Sequence, residues 1–284
     1  MSRLFKVLKQ EYKEHKIVSN LLKIYKKTII KYKNKSDTPG NIPNNIFIFW
    51  YQEIENAPIL VKKCIDSVLN NSAGFKVNII TKNNLNDYIK IDKRIMNKLN
   101  NKIISLAAFS DILRFNLLNK YGGIWVDATI FVTNNVFDDF SKKSVNSIKL
   151  SYKENFEYIS RGKWTSFFFG SKKGSVLTNF MSEVLNDYYI KFDTPLDYFL
   201  IDYFLYIAYK KIKCVRKQIN SLEPFNLNIY ALSKMLNEEY NEEKYSKLVT
   251  NTFVHKLSYK IDCLEKLPTG ERTVYSFITN DSCD

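Results

Sequence analysis

The chain begins with apolar residues recurring at three- and four-residue intervals: Phe5, Leu8, Tyr12, then Ile17, Leu21, Leu22, Tyr25 and Ile29. That period belongs to one or two amphipathic helices. Residues 34–45 read NKSDTPGNIPNN, and Pro39-Gly40 and Pro43 amid Asn, Ser and Asp interrupt regular structure. The expected organisation is an arm over 1–35, a linker over 36–45 and a single body over 46–284.

Past the linker the period switches. Ile46 to Trp50 is a short, buried type of strand. Pro58 suits a helix first turn and opens a helix through Asn70, with Leu60, Val61, Cys64, Ile65 and Val68 inward. A strand follows over Val77 to Thr81, then a short helix capped by Asn83 or Asn84 and running through Ile89, and another over Lys93 to Leu99. Ser105 caps an apolar helix over Leu106 to Lys120, which Gly122-Gly123 ends, and a third strand runs from Ile124 to Val126. Strand and helix alternating over short links predict an α/β fold with a mostly parallel, Rossmann-like sheet flanked by helices. Ligands of such sheets sit beyond the carboxyl ends of the strands, where Trp50, Thr81 and Asp127 lie. Further on, strands are expected over Ser147 to Tyr152 and Thr165 to Phe169, and helices over Ser175 to Tyr189 and Pro195 to Lys211. A strand returning within Thr250 to Tyr259 completes the expectation.

Charge changes this picture at one place. The 284 residues carry 43 Lys+Arg against 29 Asp+Glu, a net +14, and 45% hydrophobic content supports a sizeable core. Residues 1–35 hold eleven basic side chains and two acidic ones, so nine of the fourteen net charges sit on the arm. A basic amphipathic helix can lie on an anionic membrane leaflet, at the cytoplasmic face of the inner membrane. The same pattern describes a helix packed on the body with a solvated basic face. No nucleic-acid motif accompanies it, and nucleic acid is not an expected partner. No apolar run reaches the ~18 residues of a membrane span, and the start lacks a secretory h-region. Cys64, Cys214, Cys263 and Cys283 form no CxxC pair, which fits reduced thiols in a cytoplasmic protein. His15 and His255 are the only histidines, which excludes a His-rich metal centre.

The densest chemistry lies in Ala108 to Thr133, AFSDILRFNLLNKYGGIWVDATIFVT. Asp111 and Arg114 share a helix face at i,i+3, which is equally the spacing of a plain surface ion pair. Gly122 and Gly123 allow a sharp turn and a close ligand approach, or simply a helix C-cap. Asp127 emerges at a strand end, where a carboxylate can hold a divalent cation that bridges phosphates, or form a turn.

Ser110-Asp111-Ile112-Leu113-Arg114 with Tyr121-Gly122-Gly123-Ile124-Trp125-Val126-Asp127-Ala128-Thr129 resembles the capsular polysaccharide synthesis proteins of the DxD-containing sugar transferases (glycosyltransferase family 32). The clostridial glucosylating toxins show a related arrangement. The resemblance spans roughly 42–260 and includes Phe49-Trp50, Asp197-Tyr198-Phe199 and His255-Lys256-Leu257-Ser258-Tyr259-Lys260. It implies a GT-A fold and a retaining transfer from a nucleotide-sugar donor to a glycan acceptor, here a surface polysaccharide precursor carried on a polyprenyl diphosphate. It also implies Trp50 on the base, Asp111 and Arg114 on the donor sugar, Asp127 at the metal and diphosphate, and His255 and Lys260 in a closing C-terminal segment. One position departs. Thr129 stands where a full DxD motif has a second acid. Either His255 joins Asp127 as a ligand of Mn²⁺ or Mg²⁺, or Lys256, Lys260 and Arg114 neutralise the diphosphate with little metal dependence. Asp197 is a candidate for the substrate, or a helix cap. The competing reading is an inactive transferase scaffold that binds membranes or polyanions.

Overall fold

The computed structural model describes residues 3–151 and 157–280, without the side chains of Arg3, Leu4 and Lys6. Tyr152 and Cys283, which entered the strand and thiol expectations, lie outside the described residues. The fold is mixed α/β, with a central, mostly parallel sheet flanked by helices.

The arm forms α1 (Arg3–Ile24) and α2 (Lys26–Tyr32). There follow β1 (Asn45–Phe49), α3 (Ile59–Asn70), β2 (Lys76–Ile80), α4 (Leu85–Tyr88), α5 (Lys93–Asn100), α6 (Leu106–Tyr121) and β3 (Gly123–Val126). The chain continues through β4 (Ile130–Val132), α7 (Phe137–Ser141), β5 (Val145–Ser147), β6 (Phe168–Ser171), α8 (Val176–Lys191), α9 (Leu200–Lys211) and α10 (Lys213–Asn220). It ends with α11 (Ala231–Met235), α12 (Glu242–Asn251), β7 (Val254–Lys256) and α13 (Val274–Asn280).

Caps set several of these boundaries. Ser105 Oγ accepts from the Ala108 amide at 3.1 Å, and Ser175 Oγ from the Thr178 amide at 3.0 Å, each satisfying a donor the helix start leaves over. Pro58 precedes α3 in an extended conformation instead of entering its first turn. The helix expected from Pro195 begins only at Leu200, because Asp197 folds back to accept from the Phe199 amide at 2.8 Å. The strand expected from Thr165 begins at Phe168. Strand β4 and helices α7 and α10 to α13 had no clear signal in the sequence.

The chain divides into two compact units. The first comprises Met1–Pro43, Asn84–Trp125 and Ser141–Phe225. Its core joins Phe109, Ile112, Leu113 and Phe115 of α6 to Leu177, Phe180, Met181 and Val184 of α8, all buried. Strands β3, β6 and β5 lie side by side in that order, and β5 and β6 pair antiparallel. The arm belongs to this unit. Tyr25 sets its ring edge against Phe204 at 5.2 Å, and Tyr32 against Phe180 at 5.8 Å. Glu14 of α1 is buried and takes two hydrogen bonds from Arg161, at 2.9 and 2.6 Å. The packed-helix alternative thus describes the arm from Glu14 onward. Ahead of it Phe5, Leu8 and Tyr12 are 53%, 55% and 73% exposed.

The second unit comprises Asn44–Asn83, Val126–Phe140 and Asn226–Asp284. Here β1 and β2 pair in parallel from Asn45↔Lys76 to Phe49↔Ile80, while β4 and β7 form an antiparallel ribbon. Helix α3 packs on β4, and Ser67 Oγ accepts from the Val132 amide at 2.9 Å. Leu60, Cys64, Phe131, Leu232, Leu257 and Val274 share a cluster beneath the ribbon.

Candidate functional site

In the second unit the site is built on a turn and a ribbon. The Ile130 amide donates to the Asp127 carbonyl at 2.9 Å, which turns the chain from β3 into β4. Pairing of β4 with β7 sets Ile130 opposite Lys256, and the Leu257 amide adds a bond to the Thr129 carbonyl at 2.9 Å. The result is one cluster: Lys256 Nζ donates to Asp127 Oδ2 at 2.7 Å and to Thr129 Oγ1 at 2.8 Å. About a quarter of each charged side chain stays exposed, 23% for Lys256 and 25% for Asp127. Trp50 follows β1 at its carboxyl end, and its ring and that of Tyr259 meet in a T-shaped arrangement with centroids 5.4 Å apart. One short segment, 254–259, therefore carries Lys256 to Asp127 and Tyr259 to Trp50. Tyr259 stood inside the recognised motif without an assigned role, and only the fold supplies one. Lys260 lies exposed in the turn that follows.

His255 goes elsewhere. Adjacent residues of a strand point to opposite faces. With Lys256 committed to Asp127, His255 turns to the buried side, opposite Phe131, and is 0% exposed. Neither ring nitrogen has a well-formed hydrogen bond. Burial lowers its pKa to about 4, so the ring stays neutral at ordinary pH. The alternation thus sets His255 and Lys256 on opposite faces of β7, with Lys256 on the side of Asp127. The donor set that remains is one carboxylate already held by an ammonium, plus a neutral hydroxyl. Among the described residues no group of three His, Cys, Asp or Glu side chains is placed to hold an ion. Mn²⁺ and Mg²⁺ favour several anionic or neutral oxygen donors, and this cluster does not fit them.

In the first unit Asp111 and Arg114 meet on α6 at 3.3 Å. Helix α6 is buried on nearly all sides from Ile112 to Leu118, so Arg114 is only 4% exposed. This is not the surface ion pair that the spacing alone allowed. The guanidinium lies over the Trp125 ring, 5.0 Å from its centroid, which spreads part of the buried charge onto the aromatic face. The positive charge of Arg114 also acts on Asp202, favouring its ionised form. Its carboxylate accepts from Trp164 Nε1 at 2.8 Å, yet burial outweighs both influences and pushes its pKa up to about 6. No local pattern announced the Trp164–Asp202 pair, which spans 38 residues.

Asp197 forms a 2.5 Å ion pair with Lys13 of α1. Both line a cavity of about 420 Å³ that also receives Asp202, Arg161, Tyr158, Tyr198 and Phe199. The other carboxylate oxygen of Asp197 accepts from the Phe199 amide in the turn ahead of α9, whose N-cap is Phe199 and not Asp197. Gly122 has a packing reason. Its φ is +68°, and a Cβ there would come within 2.5 Å of the Lys173 amide nitrogen and 2.7 Å of the Pro43 ring. Gly123 opens β3 and is buried.

Among solved structures, one titled "PaToxG Glycosyltransferase" aligns with 87% of this chain and 99% of its own, at 15% identity and a TM-score of 0.45. No curated protein sequence matches the chain. The profile of the capsular polysaccharide synthesis protein family matches residues 2–278, nearly the whole sequence. The chain belongs to the capsular polysaccharide synthesis protein family.

Proposed function

We propose that the protein is a glycosyltransferase that moves a sugar from a nucleoside diphosphate to a hydroxyl of a surface polysaccharide precursor, with retention of anomeric configuration. The observation that carries this reading is the Asp127–Thr129–Lys256 cluster at the end of β3, in the unit that also holds Trp50 at the end of β1. It joins a positioned cation to an aromatic face, the two features a nucleoside diphosphate requires. Charge accumulates on the departing diphosphate during transfer, and a cation fixed in advance stabilises it without reorganisation. Asp111 and Arg114, whose roles rest on family resemblance, are assigned to the hydroxyls of the donor sugar. A buried charged pair is weak evidence of stability, and function is the better reason for keeping it.

The acceptor is a glycan on a polyprenyl diphosphate at the cytoplasmic face of the inner membrane. Support comes from Phe5, Leu8 and Tyr12, which stand exposed on α1 beside exposed Lys9 and Lys16. The cavity holding Asp197 and Asp202 offers sugars both aromatic faces and carboxylates.

The test is Asp127→Asn in the purified chain. We expect loss of donor hydrolysis and transfer with an unchanged melting temperature. Undiminished turnover would remove Asp127 from the site. Nucleotide binding without turnover by the unaltered protein, on any acceptor, would favour the inactive-scaffold reading.

A further inference from the structure

We propose that the Lys256 ammonium, seated between Asp127 and Thr129, is the resident cation of the donor site, so that nucleoside diphosphates bind without a divalent metal. The inference rests on the donor reading above.

Three features lead to it. The first is charge. Two carboxylates would form a dianionic seat for a divalent cation, but Thr129 is neutral and Asp127 is matched by a lysine at 2.7 Å. A metal entering here would have to displace that ammonium and recruit ligands that the described residues do not gather. The second is preorganisation. Lys256 sits on a strand whose backbone is fixed on both sides: its amide donates to the Ile229 carbonyl at 2.9 Å, and the next amide donates to the Thr129 carbonyl at 2.9 Å. The third is access. The side chain is 23% exposed, so the cation is held and still reachable from solvent.

Asp127 then has a different job from that of a metal ligand. It orients the ammonium, and Thr129 fixes its second direction. In the transfer the bond between the anomeric carbon and the β-phosphate oxygen breaks, and the electron pair stays on that oxygen. The acceptor oxygen bonds to the carbon, and its proton passes to the departing diphosphate. Lys256 takes no part in the proton transfer and offsets the developing charge, so no co-reactant is needed.

The experiment is calorimetric titration of the full chain with UDP, GDP, ADP and TDP, once in EDTA and once in MnCl2. We expect one of them to bind with affinities within about threefold in the two buffers. Lys256→Gln should weaken binding in EDTA by roughly tenfold or more, the scale of a lost charge-assisted hydrogen bond. Lys256→Arg should retain most of it, and melting curves establish that both variants fold. Binding that appears only with Mn²⁺, or Lys256→Gln binding as tightly as the unaltered chain, overturns the inference and leaves the donor reading standing. Absence of binding by every nucleotide in both buffers removes the donor reading and this inference with it.

Discussion

Two titratable groups, the half-buried Asp202 and the buried His255, impose opposite pH dependences. Asp202 has its pKa raised from 3.8 to about 6, so the folded state holds its proton more tightly than the unfolded chain does. Its contribution to stability is present at low pH and is lost as pH rises through that window. His255 is lowered from 6.5 to about 4, so its contribution is present above 6.5 and is lost as pH falls toward 4. Urea unfolding measured from pH 4 to 7 should therefore show Asp202→Asn gaining on the unaltered protein as pH rises, and His255→Leu gaining on it as pH falls. Parallel profiles for all three proteins would contradict these environments. Gly122 makes a simpler demand. A left-handed φ and the closeness of Lys173 and Pro43 should make Gly122→Ala cost about 2 kcal/mol or more in the same assay. The glycine itself was legible in the sequence. Its neighbours were not, because Pro43 and Lys173 are remote in the chain.

At the scale of elements, the periodicity located the early strands and helices to within a residue or two, from β1 through β3. Those elements carry strong local signals: continuous apolar runs, a Ser cap and a double glycine. Strand β4 was missed because Ile130-Phe131-Val132 follows so closely on β3 that the two read as one apolar stretch. Its partner β7 is remote, and a three-residue strand is defined by pairing more than by composition. The arm shows the same division. Helical period was plain, but which turns would pack was not. Glu14 and the residues after it pack on the first unit, whereas Phe5, Leu8 and Tyr12 remain exposed. Replacing those three by Asp should abolish co-sedimentation with vesicles of phosphatidylcholine and phosphatidylglycerol while leaving donor hydrolysis unchanged. Equal sedimentation of the variant would refute the membrane role of α1.

At the scale of the whole molecule, ligand binding is the most direct readout of the proposed function. A nucleotide sugar that binds only the folded chain stabilises it by about 2.7 kcal/mol at a hundredfold excess over Kd. A panel of nucleotide sugars should thus contain at least one that raises the melting temperature by several degrees, in EDTA as well as in Mn²⁺. Asp127→Asn should lose most of that shift. A flat response across the panel would count against a donor site anywhere in the protein. No helix among the described residues is long and apolar enough to cross a membrane.

The alternating architecture, the placement of charge on the arm and the family were legible in the amino-acid sequence, because they reside in local period, local composition and one compact motif. The sequence also named Asp111, Arg114, Asp127 and Lys256 as the groups to watch. What those groups meet depends on the folded chain. Strand alternation turns His255 inward and Lys256 toward Asp127, a choice that depends on the register of β7 against β4. The burial of Arg114 depends on α6 being covered from all sides, which no spacing within the helix can state. Contacts between residues far apart in sequence carry no local signature, and the cation beside Asp127 is one of them.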